Sequence, residues 1–357
     1  MSGRWKKILK TKAEKKRKVS KTKKIHVWYF WEGPKSITVK FCIMNWVTVL
    51  AQSKYNFEIH EINNANVGKW IDTKRIPCTR QNDRTLSALK SDFIRLALLE
   101  KYGGLYMDAS VVMTTTPDWL LKEVEKGWTF QAFYNPNNML YGQAYPVVEN
   151  NLLFASKPKH PLVVTWLKSM LNLRCTVAGR AEWLDKHIKG EKVRMQANLD
   201  YEYHFPYHAL QRVWEKIKAF SDFQGVKLYN TFDYKYGVGD SLPQKLLLED
   251  DFKPSLKKQY PQHFYKLISD HRRVVDDLLS RNKVNRNSFL GILLLQNGGV
   301  HLSMRYVSPQ RKATVLLKCS KSSGLPDNPL KSYLDCLPVK SNSQVRAKKR
   351  KKRKKRT

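Results

Sequence analysis

Acidic residues are scarce in this chain of 357 residues: 30 Asp and Glu stand against 66 Lys and Arg, for a formal net charge of +36. That shortage excludes an acidic, self-solvating composition and points towards anionic partners. Cysteine is scarcer still. Cys42, Cys78, Cys175, Cys319 and Cys336 are odd in number and widely spaced, with no CxxC. A zinc ribbon and a disulfide framework are therefore not expected, and reduced thiols are the default. Long apolar runs are missing as well. The longest, FCIMNWVTVLA at 41–51, is broken by Asn45 and is too short to span a bilayer. The first 24 residues lack the apolar segment of a secretory leader, and no N-x-S/T sequon occurs. The expectation is a soluble cytoplasmic protein without a transmembrane segment.

What is present is a globular composition, 42% hydrophobic with 10 Trp, 17 Tyr and 14 Phe. The positive charge is not spread evenly. Residues 1–24 carry a net +11 and residues 340–357 another +11, leaving +14 on the body between them. Four segments follow: a disordered basic arm (1–24), an α/β domain (25–240), a C-terminal helical region (241–339) and a disordered basic tail (340–357). KKRKV at 15–19 and KKRKKRKKR at 348–356 suit docking on an anionic membrane surface, where each basic residue contributes about 1 kcal/mol. They also suit nucleic-acid attraction, nuclear import, or nothing beyond solubility. Neither has the interleaved aromatics of a base-stacking surface.

Within the body, KIHVWYFW (24–31) reads as a strand ending at the Glu32-Gly33-Pro34 turn. A helix over 36–54 and an alternating strand over 57–63 complete a βαβ unit, which implies a parallel sheet. LSALKSDFIRLALLEKY (86–102) is a helix stopped by Gly103 and Gly104, with Gly103 placed for a left-handed cap. Leu105-Tyr106-Met107-Asp108 then alternates as a strand, Leu105 and Met107 to one side, Tyr106 and Asp108 to the other. Further on, 150–171 reads as strand, turn, helix, and 200–217 as a loop feeding a helix. NSFLGILLLQNGGVHLS (287–303) repeats the helix, Gly-Gly, strand rhythm without its charged members.

Three polar residues in this stretch carry chemistry. Asp92 and Arg95, three apart on the helix, would on their own be an ordinary solvated ion pair. Asp108 at a strand end would be an ordinary turn residue. Ligands of open α/β sheets, however, bind at the carboxyl ends of the strands, where Asp108 sits. A carboxylate there suits a divalent ion bound through oxygen, which would neutralise a departing diphosphate. Arg with Asp suits sugar hydroxyls, one donating and the other accepting hydrogen bonds. A Ser-His-Asp triad, a P-loop and a GxGxxG are absent where their mechanics would need them.

SDFIRLALLEKYGGLYMDAS (91–110) resembles the signature of the DXD-type retaining glycosyltransferases, closest to the capsular polysaccharide synthesis proteins. HVWYFWEGP (26–34), NNLLFASKPKHPLVVTWL (150–167) and DYEYHFPYH (200–208) resemble further blocks of that branch. The resemblance implies a GT-A-like (Rossmann-like) nucleotide-sugar-binding sheet flanked by helices, with a mainly helical C-terminal portion. It implies transfer of a sugar from a nucleotide-sugar donor to a glycan or polysaccharide acceptor, with retention. Trp31 would flank the nucleotide base, Asp92 and Arg95 would hold the donor sugar, and Asp108 would contact ribose or sugar and a metal, Mn²⁺ or Mg²⁺. Ser110 stands where relatives carry the second Asp of DXD, and a hydroxyl is a weaker ligand than a carboxylate. Asp240 or His208 is a candidate for a further ligand, His208 being also a candidate for simple loop packing. The rival reading is a nucleic-acid or membrane-surface binding protein whose transferase-like core has lost catalysis.

Overall fold

A computed structural model describes residues 23–76, 87–134, 148–171, 205–216, 225–231, 263–267, 269–281, 283–285, 288–293, 305–307 and 314–316. Lys24, the last of the basic arm, opens the first strand; residues 1–22 of that arm, the whole basic tail at 340–357, Asp240 and most of the 287–303 repeat lie outside the described residues. So do four of the five cysteines; the fifth, Cys42, is buried and free.

The expected βαβ unit is present. Strand β1 (Lys24–Phe30), helix α1 (Ile37–Leu50) and strand β2 (Asn56–Ile62) follow one another, and β1 and β2 pair in parallel. Ser36 caps α1 by accepting from the Val39 amide at 3.4 Å. Helix α2 (Ser87–Tyr102) leads into β3 (Gly104–Met107), which pairs in parallel with β1. After β4 (Val111–Met113) and α3 (Asp118–Glu125), strands β5 (Phe130–Tyr134) and β6 (Val148–Ala155) form an antiparallel pair. Helices α4 (Pro161–Met170) and α5 (Phe205–Lys216) and strand β7 (Val226–Asn230) complete the main layer. The six-stranded order is β2-β1-β3-β6-β5-β7, with β6 alone antiparallel to both its neighbours.

Alternation along β3 sorts its side chains as expected. Tyr106 joins Trp28, Phe130 and Leu153 in a core covered by α2, α4 and α5. Leu105 and Met107 join Val27, Tyr29 and Phe154 in a second core on the other face, beneath α1, β4 and α3. The two glycines between α2 and β3 are required by the packing. Gly103 and Gly104 have φ of +69° and +100°, the left-handed region that favours glycine. A Cβ on Gly104 would lie 2.4 Å from the His26 carbonyl oxygen, and one on Gly103 would lie 2.8 Å from that of Ala155.

Asn45, which interrupts the apolar run of α1, is buried and anchors β4. Its amide donates to the Met113 carbonyl at 3.0 Å and accepts from the Met113 amide at 2.7 Å. β4 pairs in turn with β8 (Phe264–Lys266), and α6 (Ser269–Ser280) follows at once. A third apolar cluster ties this piece down: Phe41 and Cys42 of α1 pack with Tyr265, Val275, Leu279 and Phe289. Asp276 of α6 accepts from the Thr38 amide in the first turn of α1 at 2.7 Å, using one of the free donors of a helix start. Of the C-terminal helical content expected from sequence, α6 and a turn at 289–293 are within the described residues; β9 (Arg305–Val307) and β10 (Thr314–Leu316) pair antiparallel. No described helix is long and apolar enough to cross a membrane.

Candidate active site

The carboxyl ends of β1 and β3 and the antiparallel start of β6 meet at one edge of the sheet. A cavity of about 510 Å³ opens there, lined by Trp31, Asp92, Arg95, Asp108, Ser110 and Lys266 among others. The five residues singled out in the sequence therefore share one cavity.

Arg95 is the centre of the arrangement. It is 4% exposed, and its Nη2 lies 3.0 Å from Asp92 Oδ1 and 3.4 Å from Asp108 Oδ1. Its Nε donates to the Ser91 carbonyl at 3.1 Å, Nη2 to Ser91 Oγ at 2.8 Å, and Nη1 to the Asn150 carbonyl. The guanidinium also stands over the Tyr106 ring, 4.8 Å from its centre, an attractive placement for a cation. A solvated ion pair is thus excluded: Asp92 and Arg95 form a buried pair inside a hydrogen-bonded network. With most of its N–H groups engaged by the protein, Arg95 is built to hold two carboxylates in place.

Asp92 accepts a second bond from Asn150 Nδ2 at 2.9 Å. Burial pushes its carboxyl up to about 7, against the pull of Arg95. Asp108 is placed by its amide, which donates to the Asn151 carbonyl at 2.9 Å. Burial would raise this carboxyl too, but Lys266 and Arg95 together outweigh it and hold it below the usual range. One edge of the sheet thus holds two carboxyl groups with protonation tendencies driven apart.

Several lining residues were not identified as site residues from the sequence. Lys266 comes from β8 and pairs directly with Asp108 Oδ2. Arg272, on α6, lines the same cavity. Glu149, Asn150 and Asn151, at the start of β6, are all buried beside it, and Tyr207 on α5 donates to Glu149 Oε2 at 3.1 Å. Asn151 Oδ1 finds no hydrogen-bond partner among the described residues, a cost of about 1–3 kcal/mol for a buried acceptor. The run of polar residues opening an otherwise apolar strand was the available signal for β6. Nothing local could have found Lys266.

Trp31 sits at the cavity wall, half-buried, its Nε1 donating to the Pro34 carbonyl at 3.4 Å. Ser110 is buried, and its carbonyl accepts from the Leu267 amide at 2.9 Å. His208 falls on α5, and its side chain lies outside the described residues. Among the described residues, the donor set at Asp108 and Ser110 does not fit a divalent ion. The two oxygens of Asp108 face Arg95 and Lys266, and Ser110 offers a neutral hydroxyl. Mn²⁺ or Mg²⁺ would have to displace a lysine from its counter-ion.

Comparison with known proteins agrees with the signature block. Residues 1–174 match the model of the family described as capsular polysaccharide synthesis protein, the branch to which the block is most similar. Among solved structures, a glycosyltransferase involved in glycosylation of the major capsid of PBCV-1 shares 13% identity at a TM-score of 0.35, covering 71% of this chain and 97% of that one. The galactosyltransferase LgtC, in complex with donor and acceptor sugar analogues, shares 10% at 0.31, covering 68% and 86%. The glycosyltransferase GlyE of Streptococcus pneumoniae TIGR4 shares 9% at 0.34, covering 74% and 65%. No curated protein matches the chain.

Proposed function

From an N-terminal half that matches the capsular polysaccharide synthesis family, we propose that this protein is a glycosyltransferase moving a sugar from a nucleotide-sugar donor to a glycan acceptor with retention. One observation carries the reading: buried Asp92 and Arg95 and half-buried Asp108 converge on a single cavity at the carboxyl ends of parallel strands.

This reading assigns the following roles. Trp31 flanks the base at the cavity wall. Asp92 and Asp108 accept from sugar or ribose hydroxyls, and Asn151 Oδ1 supplies a further acceptor. Arg95 acts through the two carboxylates, fixing their positions. In the step itself, the bond from the anomeric carbon to the diphosphate oxygen breaks and its electron pair leaves with the diphosphate. An acceptor hydroxyl bonds to that carbon on the same face, and its proton passes to the departing phosphate. The transition state has oxocarbenium character, so the chain contributes orientation and fixed charge. Lys266 and Arg272 line the same cavity and, in this reading, meet the developing diphosphate charge.

The basic tails, in this reading, hold the enzyme near an anionic surface or acceptor. The test is turnover of a panel of nucleotide sugars by the full chain, with EDTA or with Mn²⁺. Release of nucleotide from one donor, lost in Asp108→Asn and kept after removal of both tails, supports the enzyme. Absence of turnover, together with salt-sensitive nucleic-acid binding by the tail-less chain, supports the binding protein instead.

A further inference from the structure

The opposite end of the same sheet carries a second polar cluster, which the donor cavity does not use. β1 and β2 run in parallel register there, with His26 opposite Glu58 and Trp28 opposite His60. Residues two apart on a strand share a face, so His26, Glu58 and His60 stand together on one side of the sheet. His26 Nδ1 and His60 Nε2 are 2.9 Å apart. One ligand atom from each of the three residues lies within 4.8 Å of the others.

We propose that His26, Glu58 and His60 bind a transition-metal ion of the Zn²⁺ class, at a site separate from the donor cavity. Two imidazoles and a carboxylate are an established three-ligand set for zinc, leaving one position for water. Bonds of about 2.0–2.2 Å in a tetrahedron place ligand atoms about 3.3 Å apart. The histidine nitrogens already approach that spacing, and side-chain rotation of Glu58 closes the widest gap. Nitrogen donors favour Zn²⁺ and its neighbours in the first transition row over Mg²⁺ or Ca²⁺.

The imidazoles are held for the purpose. His26 and His60 both stack on Trp28, with ring centres 4.8 and 4.4 Å apart and planes within 30°. The edge of Trp70 meets His60 at 4.9 Å, and Tyr102 meets His26 at 6.0 Å. Aromatic contact on several sides limits ring rotation, so little conformational freedom remains to be lost on binding. Glu58 is occupied by Lys24 at 2.9 Å, but both partners are well exposed, and such a pair contributes little. An ion would displace the ammonium at small cost. The site spans β2, an edge strand, and β1, whose far end carries Trp31, so occupation ties the sheet edge to the strand that shapes the cavity.

The full chain, stripped with EDTA, is titrated with Co²⁺ and followed by visible absorption, then with Zn²⁺ by calorimetry. The expected result is one ion per chain with a tetrahedral Co²⁺ spectrum and a raised Tm. Glu58→Gln and the double variant His26→Gln/His60→Gln lose affinity by at least about 100-fold, the upper end of what loss of a mere supporting contact produces. Asp108→Asn retains it, which separates this site from the cavity and from the proposed transferase activity. No one-to-one binding by the wild-type chain overturns the proposal. So does binding unchanged in a folded Glu58→Gln variant, folding being judged by circular dichroism.

Discussion

Replacing Asp92 by Asn should flatten the pH dependence of stability. Burial lifts the Asp92 carboxyl from its ordinary 3.8 to about 7, against the pull of Arg95. Between those two values the native chain holds a proton that the unfolded chain has released. Stability therefore falls as pH rises, by about 1.4 kcal/mol per unit. The contribution is fully present below the unfolded value and is lost as pH climbs through the folded one. Across the window it amounts to about 4 kcal/mol for an isolated group, and coupling to Asp108 through Arg95 makes the pair titrate together and broadens it. Asp108 runs the other way: its pKa is depressed, so its contribution is present at higher pH and lost on acidification. Above pH 5 the two effects separate. Urea unfolding at pH 5, 6, 7 and 8 provides the assay. The wild-type chain should lose at least about 1 kcal/mol more than Asp92→Asn between pH 5 and pH 8, a conservative fraction of that isolated-group value. The variant keeps an amide oxygen for Asn150 to donate to. Parallel profiles for the two proteins would refute a carboxyl at Asp92 raised by burial.

Arg95→Ala leaves buried Asp92 without its cation and Asp108 with Lys266 alone, and should cost about 3–5 kcal/mol, read as a lower urea midpoint. Lys266→Met should lower kcat by about 100-fold or more, as removal of one transition-state charge contact does, with no rescue by added Mn²⁺. Gly104→Ala forces a Cβ to 2.4 Å from the His26 carbonyl at a φ of +100°; a loss of about 2 kcal/mol or more is expected, measured by thermal melting. Asn45→Leu strands the amide and carbonyl of Met113, at about 1–3 kcal/mol for each unsatisfied group, checked by urea unfolding.

The legible parts of this protein are those in which local pattern and tertiary role coincide. Gly103-Gly104 announced a helix stop, and the clash distances to His26 and Ala155 show why no other residue serves. Alternation in β3 placed Tyr106 and Leu105 on opposite faces because each face is covered by its own layer of helix. The βαβ start was visible because β1 is apolar-rich, β2 alternates, and one helix length separates them. Asp92, Arg95 and Asp108 were legible because they lie within 17 positions, on two elements joined by a fixed turn. Their state was not. The sequence alone allowed a solvated ion pair; only Ser91, Asn150 and Tyr106, closing around Arg95, make it a buried network. Lys266 was beyond reach, since its approach to Asp108 depends on β4 pairing with a strand some 150 residues later. The His26–Glu58–His60 cluster was hidden for a related reason: its members meet through strand register, not through spacing along the chain.

The most direct test of the central claim is thermal protection of the full chain by nucleotide sugars, read for wild type and for Asp108→Asn. One donor should raise the wild-type Tm by several degrees, since a ligand at 100 times its Kd adds about 2.7 kcal/mol; that shift should vanish in Asp108→Asn. Equal protection of both proteins, or protection of neither by any donor, would contradict a sugar-nucleotide site built on the Asp92, Arg95 and Asp108 cluster.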